Sequence, residues 1–155
     1  MVCVAQNEQL PWTENEIGYP TRPMFLISES GAQQVGDYQF YVNGQIGGIL
    51  VERKTCQDFY GTMFGNRDRF YREIERFKSD NRFDKMIIFV EGNMLDFLNY
   101  TYNNNSFMLP QKFGVLGSLD ARGVEVMWCT NRKIAARLYG VVVKQWCLKN
   151  YERII

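Results

Sequence analysis

The dipeptide Asn43-Gly44 lies between two runs of strand-forming residues and restricts the fold of this chain more than any other local signal. Asn-Gly is typical of a two-residue hairpin turn, because both turn positions require a positive φ. The flanking runs, 38–42 and 49–51, are rich in the aromatic and β-branched residues that favour strands. The sequence therefore predicts an antiparallel hairpin within residues 35–58.

Two carboxylates and a lysine fall on one face of this predicted hairpin. Counting back from the turn places Asp37 and Glu52 diagonally across the two strands, about 7–8 Å apart at the backbone. A bulge at Gly47-Gly48 would shift the register so that the two acids face each other directly. Lys54 lies two residues beyond Glu52 and shares its face, whereas Arg53 points away.

An Asp, a Glu and a Lys that converge on one spot are the parts of a metal-dependent phosphodiesterase. Carboxylates hold a hard cation such as Mg²⁺ through oxygen, and an ammonium group can position or activate the attacking water. Charged residues are also common at the ends of strands, where they serve only to meet solvent. From spacing alone, both interpretations stay open.

The residues around this cluster resemble those of a known nuclease family. Residues 36–38 (GDY), residues 52–54 (ERK) and Asp58 are similar to the GDY…ERKxxxD signature of the XPF-type structure-specific endonucleases, a branch of the PD-(D/E)XK superfamily. The resemblance continues through a basic segment at 69–76 and an apolar run at 87–92. It covers nearly the whole chain and includes small single-domain members from bacteria and phages.

This resemblance implies a Mg²⁺- or Mn²⁺-dependent DNA endonuclease that hydrolyses phosphodiester bonds, by nicking or in a structure-specific manner. It implies a metal site built from carboxylates and one backbone carbonyl, and a catalytic set that adds a lysine, an arginine and a second aspartate. The metal ligands would be Asp37, Glu52, the carbonyl of Arg53, and Glu8; the catalytic residues would be Asp37, Glu52, Arg53, Lys54 and Asp58.

Arginines follow the predicted hairpin on a helix expected at about 67–78. Arg67, Arg69 and Arg72 are candidate DNA contacts, because a guanidinium can clamp a phosphate through two hydrogen bonds. The resemblance favours Arg69 for this role. Glu73 offers ordinary ion pairing within the same helix instead.

Asp58 has a second interpretation of its own. Thr55 is expected to cap the N-terminus of a helix that runs to about residue 64, with Asp58 at the third helical position. The same aspartate would then stabilise the start of the helix, whether or not it takes part in catalysis.

The N-terminal segment departs from the family pattern. Residues 8–12 (EQLPW) resemble the family's DxREQxPW segment, but Ala5 stands at the position of its Asp and Asn7 at that of its Arg. In the family, that Asp helps to build the metal site. Its absence motivates a second hypothesis, a DNA-binding pseudonuclease with the same fold and impaired catalysis.

The bulk properties indicate one ordered domain over residues 1–155. A chain of 155 residues with 46% hydrophobic content is long enough to bury a core. Alternating strand and helix signals predict an α/β domain with a mixed central sheet, and the resemblance implies a restriction-endonuclease-like sheet flanked by helices. Further strands are expected at 86–90 and 124–128, and further helices at 96–100, 110–122 and 132–149.

Residue usage excludes several other kinds of site. The absence of histidine removes His-based triads and His metal centres. Four cysteines without a CxxC pair favour reduced thiols over a zinc site.

No apolar run approaches bilayer length, and residues 1–12 lack the features of a signal peptide, so we expect a soluble intracellular protein (cytoplasm or nucleoid) with no membrane partner. An excess of basic residues in 131–155 suits a polyanion such as DNA, although a solvated helix face would look the same. The family often dimerises through its late helices, so the resemblance also implies a possible homodimer.

Overall fold

The computed structural model describes residues 1–5, 10–24, 36–101 and 107–150, with the backbone alone at 22–24, and every structural statement refers to these residues. Strands and helices alternate along them. In chain order they are β1 (Val2–Ala5), α1 (Glu14–Ile17), β2 (Thr21–Met24), β3 (Tyr38–Val42), β4 (Gln45–Ile46), β5 (Ile49–Thr55), α2 (Cys56–Gly65), α3 (Arg67–Ser79), β6 (Lys85–Glu91), α4 (Met94–Asn99), α5 (Leu109–Asp120), β7 (Val124–Trp128) and α6 (Arg132–Lys149).

The strands form one mixed sheet in the order β2-β1-β3-β5-β6-β7, with β4 paired to β3. The pairs β1–β2, β5–β6 and β6–β7 are parallel, whereas β3 is antiparallel to both β1 and β5. Parallel neighbours require helical crossovers, and these place helices on both faces of the sheet. The predicted α/β class with a mixed central sheet is confirmed.

The hairpin predicted from Asn43-Gly44 is present between β3 and β4. Val42 pairs with Gln45, and the two turn residues have φ values of 50° and 79°. Positive φ at both positions is the reason that Asn and Gly occupy them.

The bulge that Gly47-Gly48 would allow is present. Tyr41 pairs with Ile46, and Tyr38 pairs with Val51. Three positions along β3 therefore correspond to five positions between Ile46 and Val51. The two extra residues shift the register, so that Asp37 and Glu52 form the next pair along the strands. A side chain at Gly47 would overlap the ring of Phe40, so the bulge requires glycine there.

The sheet separates two hydrophobic clusters. On one face, α1 and α6 pack over a cluster that includes Trp12, Tyr38 and Tyr139. On the other face, α2 to α5 pack over a cluster that includes Leu50 and Ile88. β6 contributes to both clusters, and its residues 86–90 are almost wholly buried, as predicted for a strand covered on both sides.

The N-terminal third contains a short helix and a strand besides β1. A short helix, α1, begins after Thr13, because Thr13 and Glu16 satisfy each other's backbone N–H groups in a capping box. The strand β2 lies at Thr21–Met24 and runs parallel to β1; residues 25–27 lie outside the described residues. Among the described helices, none is long and apolar enough to cross a bilayer.

Candidate active site

Asp37 and Glu52 lie side by side at the end of the sheet where β5 leads into α2. The N–H of Asp37 donates to the carbonyl of Val51 (2.8 Å), and the N–H of Arg53 donates to Oδ2 of Asp37 (2.8 Å). Cross-strand partners point to the same face of a sheet, so both carboxylates project toward α2 and α3. The spatial pairing predicted for these two acids is therefore confirmed.

Gly36 makes this approach of the two strands possible. Its φ is +76°, a value that residues with a side chain rarely adopt. An added Cβ would also lie 2.7 Å from Cδ1 of Leu50 in the neighbouring strand. The glycine of the GDY segment is thus explained by backbone geometry rather than by chemistry.

Lys54 lies on the same face and contacts Glu52 directly. Its Nζ is 2.8 Å from Oε1 of Glu52, and the two side chains are only 14% and 15% exposed. The ammonium also lies 5.4 Å from the centre of the Phe70 ring on α3. Asp37, Glu52 and Lys54 therefore form one partly buried charged group, which we call the acid–lysine cluster.

The electrostatics of the cluster keep Lys54 charged. Burial alone lowers the pKa of Lys54, but attraction by Glu52, their hydrogen bond, and the nearby charges of Asp37 and Glu73 outweigh it, so its pKa is raised above the ordinary lysine value. In this arrangement the ammonium can donate hydrogen bonds near neutral pH, but it cannot accept a proton.

Ala5 lies beside Asp37 on the other side of β3. The β1–β3 register runs from Val2 opposite Phe40 to Val4 opposite Tyr38, and the N–H of Ala5 donates to the carbonyl of Asp37 (2.8 Å). The buried methyl group of Ala5 therefore shares the face of the cluster. An aspartate at this position would add a third carboxylate to the row.

The donor set of the cluster fits a hard divalent cation. Mg²⁺ is commonly held by one or two carboxylates and keeps several water ligands, so Asp37 and Glu52 suffice in number and chemistry. Within the described ranges, no group of three or more His, Cys, Asp or Glu residues could hold a metal ion. Glu8, the further acid implied by the family resemblance, lies outside the described residues.

Arg53 points to the opposite face of the sheet, as strand alternation predicts. Its guanidinium makes two contacts with the carboxylate of Glu91, at 2.6 and 3.0 Å, and a third with the carbonyl of Leu10 at 2.9 Å. The indole N–H of Trp12 donates to the same carboxylate at 3.0 Å. The Arg53 side chain thus joins β5, β6 and the N-terminal segment, and its backbone N–H donates to Asp37 of the cluster.

Arg132 completes this network, although no role was predicted for it from the sequence. It donates to the carbonyls of Leu10 and Pro11, at 2.6 Å each, and forms an ion pair with Glu16 at 3.1 Å. Hydrogen bonds from the backbone and side chain of Thr13, together with Arg132, lower the pKa of the Glu16 carboxyl. These contacts join residues more than 110 positions apart, so no local sequence signal could have identified them.

Asp58 occupies the predicted capping position. Its backbone N–H donates to Oγ1 of Thr55 (3.0 Å), and the Thr55 hydroxyl donates to the Asp58 carboxylate (2.7 Å). The capping role is confirmed; the catalytic role of Asp58 stays a prediction.

The three candidate DNA-contacting arginines lie together on α3. The exposed Arg69 pairs with Glu73 at 3.4 Å, and the guanidinium of Arg67 lies 5.9 Å from the Tyr71 ring. With Arg72, both line a cleft of about 1020 Å³ beside α5. The structure thus places all three arginines along one cleft.

Comparison with known proteins places this geometry in a family. The ERCC4 domain matches residues 24–141, a range that contains the acid–lysine cluster and α3 but not Ala5 or Glu8. No curated protein sequence matches the chain significantly.

Solved structures of XPF from Aeropyrum pernix share the fold. One matches with a TM-score of 0.66 and 19% identity, over 97% of this chain and 67% of that chain. Another, described as a complex with DNA, matches with a TM-score of 0.61 and 18% identity, over 98% of this chain and 65% of that one. The chain thus spans about two thirds of the length of these structures. Because the ERCC4 match covers most of its length, the chain belongs to the ERCC4 domain family.

Proposed function

We propose that this chain is a divalent-metal-dependent DNA endonuclease whose active site is the acid–lysine cluster. The observation that supports this most is the convergence of Asp37, Glu52 and Lys54 on one sheet face of an ERCC4 domain. The likeness to an XPF structure described as a complex with DNA supports DNA as the substrate. Because its substrate is DNA, we also place the protein inside the cell.

In this proposal the carboxylates of Asp37 and Glu52 hold Mg²⁺ or Mn²⁺, together with the carbonyl of Arg53 and the side chain of Glu8. A bound cation would neutralise phosphate charge and activate the attacking water. The backbone N–H of Arg53 holds the Asp37 carboxylate in place.

Lys54, whose ammonium contacts Glu52, positions or activates the attacking water and donates hydrogen bonds to the scissile phosphate. The side chain of Arg53 positions β5 through Glu91, and Asp58 stabilises the start of α2. Arg67, Arg69 and Arg72 bind the DNA backbone.

The second candidate function is a DNA-binding pseudonuclease, and Ala5 is the observation that favours it. Its methyl group lies beside Asp37, where the family pattern carries a carboxylate. With two carboxylates instead of three, the site would bind the cation more weakly. Isothermal titration with Mn²⁺ discriminates the two, because a pseudonuclease gives little heat with the chain as it stands and more with Ala5→Asp.

The experiment that tests the proposal is cleavage of nicked, flapped and supercoiled DNA in Mg²⁺ or Mn²⁺ by the chain and by Ala5→Asp in parallel. We expect both proteins to cleave at least one substrate, with Ala5→Asp faster. If Ala5→Asp alone cleaves, the pseudonuclease is supported. If neither protein cleaves any substrate, the endonuclease proposal fails.

We also propose that the chain forms a homodimer through α6. Ile134, Val141 and Leu148 are exposed there at intervals of seven residues, and this spacing places them on one side of a helix. Light scattering after size exclusion tests this, with Val141→Glu as the variant. A monomeric mass for the unaltered chain at micromolar concentration would contradict it.

A further inference from the structure

A large cleft lies between the corner where α2 meets α3 and the exposed side of α5. Its volume is about 1020 Å³, enough for more than one nucleotide-sized group. We call it the α3–α5 cleft. Its lining includes aromatic and basic residues and a helical glycine: Phe64, Arg67, Tyr71, Arg72, Phe107 and Gly114.

One wall of the cleft is aromatic and held in place. The rings of Phe64 and Phe107 stack with centroids 4.3 Å apart and planes 15° apart. Both rings are partly exposed, and both pack against Tyr60, whose hydroxyl accepts a hydrogen bond from the N–H of Phe107 at 3.5 Å. The wall is therefore a preformed apolar surface of the kind on which a flat ring can stack.

A buried lysine supports this wall from behind. Lys112 is only 2% exposed, and its Nζ donates to the carbonyls of Leu98 (2.6 Å) and Tyr100 (3.0 Å). The same ammonium lies 5.4 Å from the centre of the Tyr60 ring. Lys112 thus ties α5 to the end of α4 and to the ring beneath Phe64 and Phe107.

The rim of the cleft is positively charged. Three arginines, Arg67, Arg69 and Arg72, line it against a single acid, Asp68. Tyr71 also lines the cleft. The guanidinium of Arg122 lies 4.1 Å from the centre of the Tyr71 ring, and the guanidinium of Arg67 lies 5.9 Å from it. Aromatic side chains beside a row of arginines form the pattern that binds bases and phosphates of a single strand.

The opposite side of the cleft is opened by a glycine. Gly114 lies within α5, where glycine is less favourable than alanine. A Cβ built there meets no atom within 4 Å, so close packing does not explain the glycine. Gly117 on the same helix is equally open but does not line the cleft. What distinguishes Gly114 is that a side chain at this position would project into the cleft.

We propose that the α3–α5 cleft binds an unpaired segment of a DNA strand, with a base stacked on the Phe64–Phe107 wall and flanking phosphates at Arg67 and Arg72. This inference rests on the proposed function and specifies its substrate, since duplex DNA presents no free base face to such a wall. The helix α3 connects the cleft with the acid–lysine cluster, because Arg69 in the cleft lining pairs with Glu73 and the charge of Glu73 acts on Lys54.

The test measures DNA binding by fluorescence anisotropy in EDTA, so that cleavage plays no part. The probes are a labelled oligothymidylate of 20 nucleotides and a labelled blunt duplex of 20 base pairs. The variant Gly114→Leu places a branched side chain in the cleft, and Gly117→Leu is its matched control on the same helix. Both replacements add a better helix former in open space, so both proteins are expected to fold, as checked by circular dichroism.

Gly114→Leu is expected to weaken single-strand binding about tenfold and to change duplex binding less than twofold. Gly117→Leu is expected to leave both unchanged. As a second check, Arg67→Ala should weaken single-strand binding and reduce its salt dependence, whereas Lys78→Ala on the same helix should not. Unaltered single-strand binding in Gly114→Leu, an equal loss for both probes, or no binding of the oligothymidylate by the unaltered chain would overturn the proposal.

These outcomes are separate from those of the cleavage test. If the chain cleaves duplex DNA and the Gly114→Leu variant binds single strands as well as the unaltered chain does, only the assignment of the cleft fails. If the chain binds single strands through the cleft but cleaves no DNA, only the proposed endonuclease function fails.

Discussion

Replacing Glu91 by glutamine tests whether the network behind the active site holds β5 in place. The Glu91 carboxylate accepts two hydrogen bonds from Arg53, at 2.6 and 3.0 Å, and one from Trp12 at 3.0 Å. Glutamine keeps the size of the side chain but has one acceptor oxygen. Its amide N–H₂ would face a donor, and the Arg53 guanidinium would lose its counter-charge.

The expected cost follows from the burial of the pair. The side chains of Arg53 and Glu91 are 11% and 8% exposed, so solvent screens their interaction little. Removing one partner of a buried ion pair costs about 3–5 kcal/mol. The contact of Arg53 with the carbonyl of Leu10 persists in the variant, so we expect the lower end, about 3 kcal/mol. For a domain of this size that corresponds to a fall in Tm of roughly 6–12 °C.

The assay is urea unfolding followed by circular dichroism, with Tm from thermal scans. Glu125→Gln is the matched control, because Glu125 also forms an ion pair from a strand, with Lys85, but these side chains are 39% and 46% exposed. That variant should lose less than about 1 kcal/mol. If Glu91→Gln and Glu125→Gln destabilise the protein equally, the Arg53–Glu91 pair does not hold β5 as described.

Three further predictions concern the same face of the sheet, where α1 and α6 pack. Tyr139→Phe should raise the free energy of unfolding by about 1 kcal/mol, because the buried hydroxyl of Tyr139 has no hydrogen-bond partner among the described residues; a loss of stability on urea unfolding would contradict this. Gly140→Ala should lower the free energy of unfolding by about 1–3 kcal/mol, since the new methyl group would overlap the carbonyl of Ile17 where α6 crosses α1. An unchanged Tm would refute that packing. Cys129 should resist iodoacetamide at pH 8, because burial raises the pKa of its thiol to about 11, and peptide mapping should show the partly exposed Cys147 reacting first.

Much of the site could be predicted because its signals are local. Asn43-Gly44 specifies the turn, and Gly47-Gly48 permits the bulge that brings Asp37 opposite Glu52. The alternation of side chains in a strand then places Lys54 with Glu52 and Arg53 on the other face. Each of these steps depends on residues within about twenty positions of one another.

The rest depends on contacts between distant parts of the chain. The Arg53–Glu91 pair spans 38 positions, and the contacts of Arg132 with Leu10 span 122. The α3–α5 cleft forms only when α5 packs beside α3, so neither the role of Gly114 nor that of Lys112 is visible in a local pattern. The strand β2 escaped prediction because Pro23 lies within it and its partner β1 precedes it by nineteen residues.

The most direct test of the acid–lysine cluster compares the rates at which two proteins cleave supercoiled plasmid in Mn²⁺. One carries Ala5→Asp alone, and the other carries Ala5→Asp together with Glu52→Gln. Glu52→Gln removes one carboxylate and the partner of Lys54 while keeping the side-chain shape. We predict that it lowers the rate at least 100-fold, equivalent to about 2.7 kcal/mol of transition-state stabilisation. Circular dichroism should show an unchanged fold. Equal cleavage by the two proteins would contradict the assignment of the active site to this cluster.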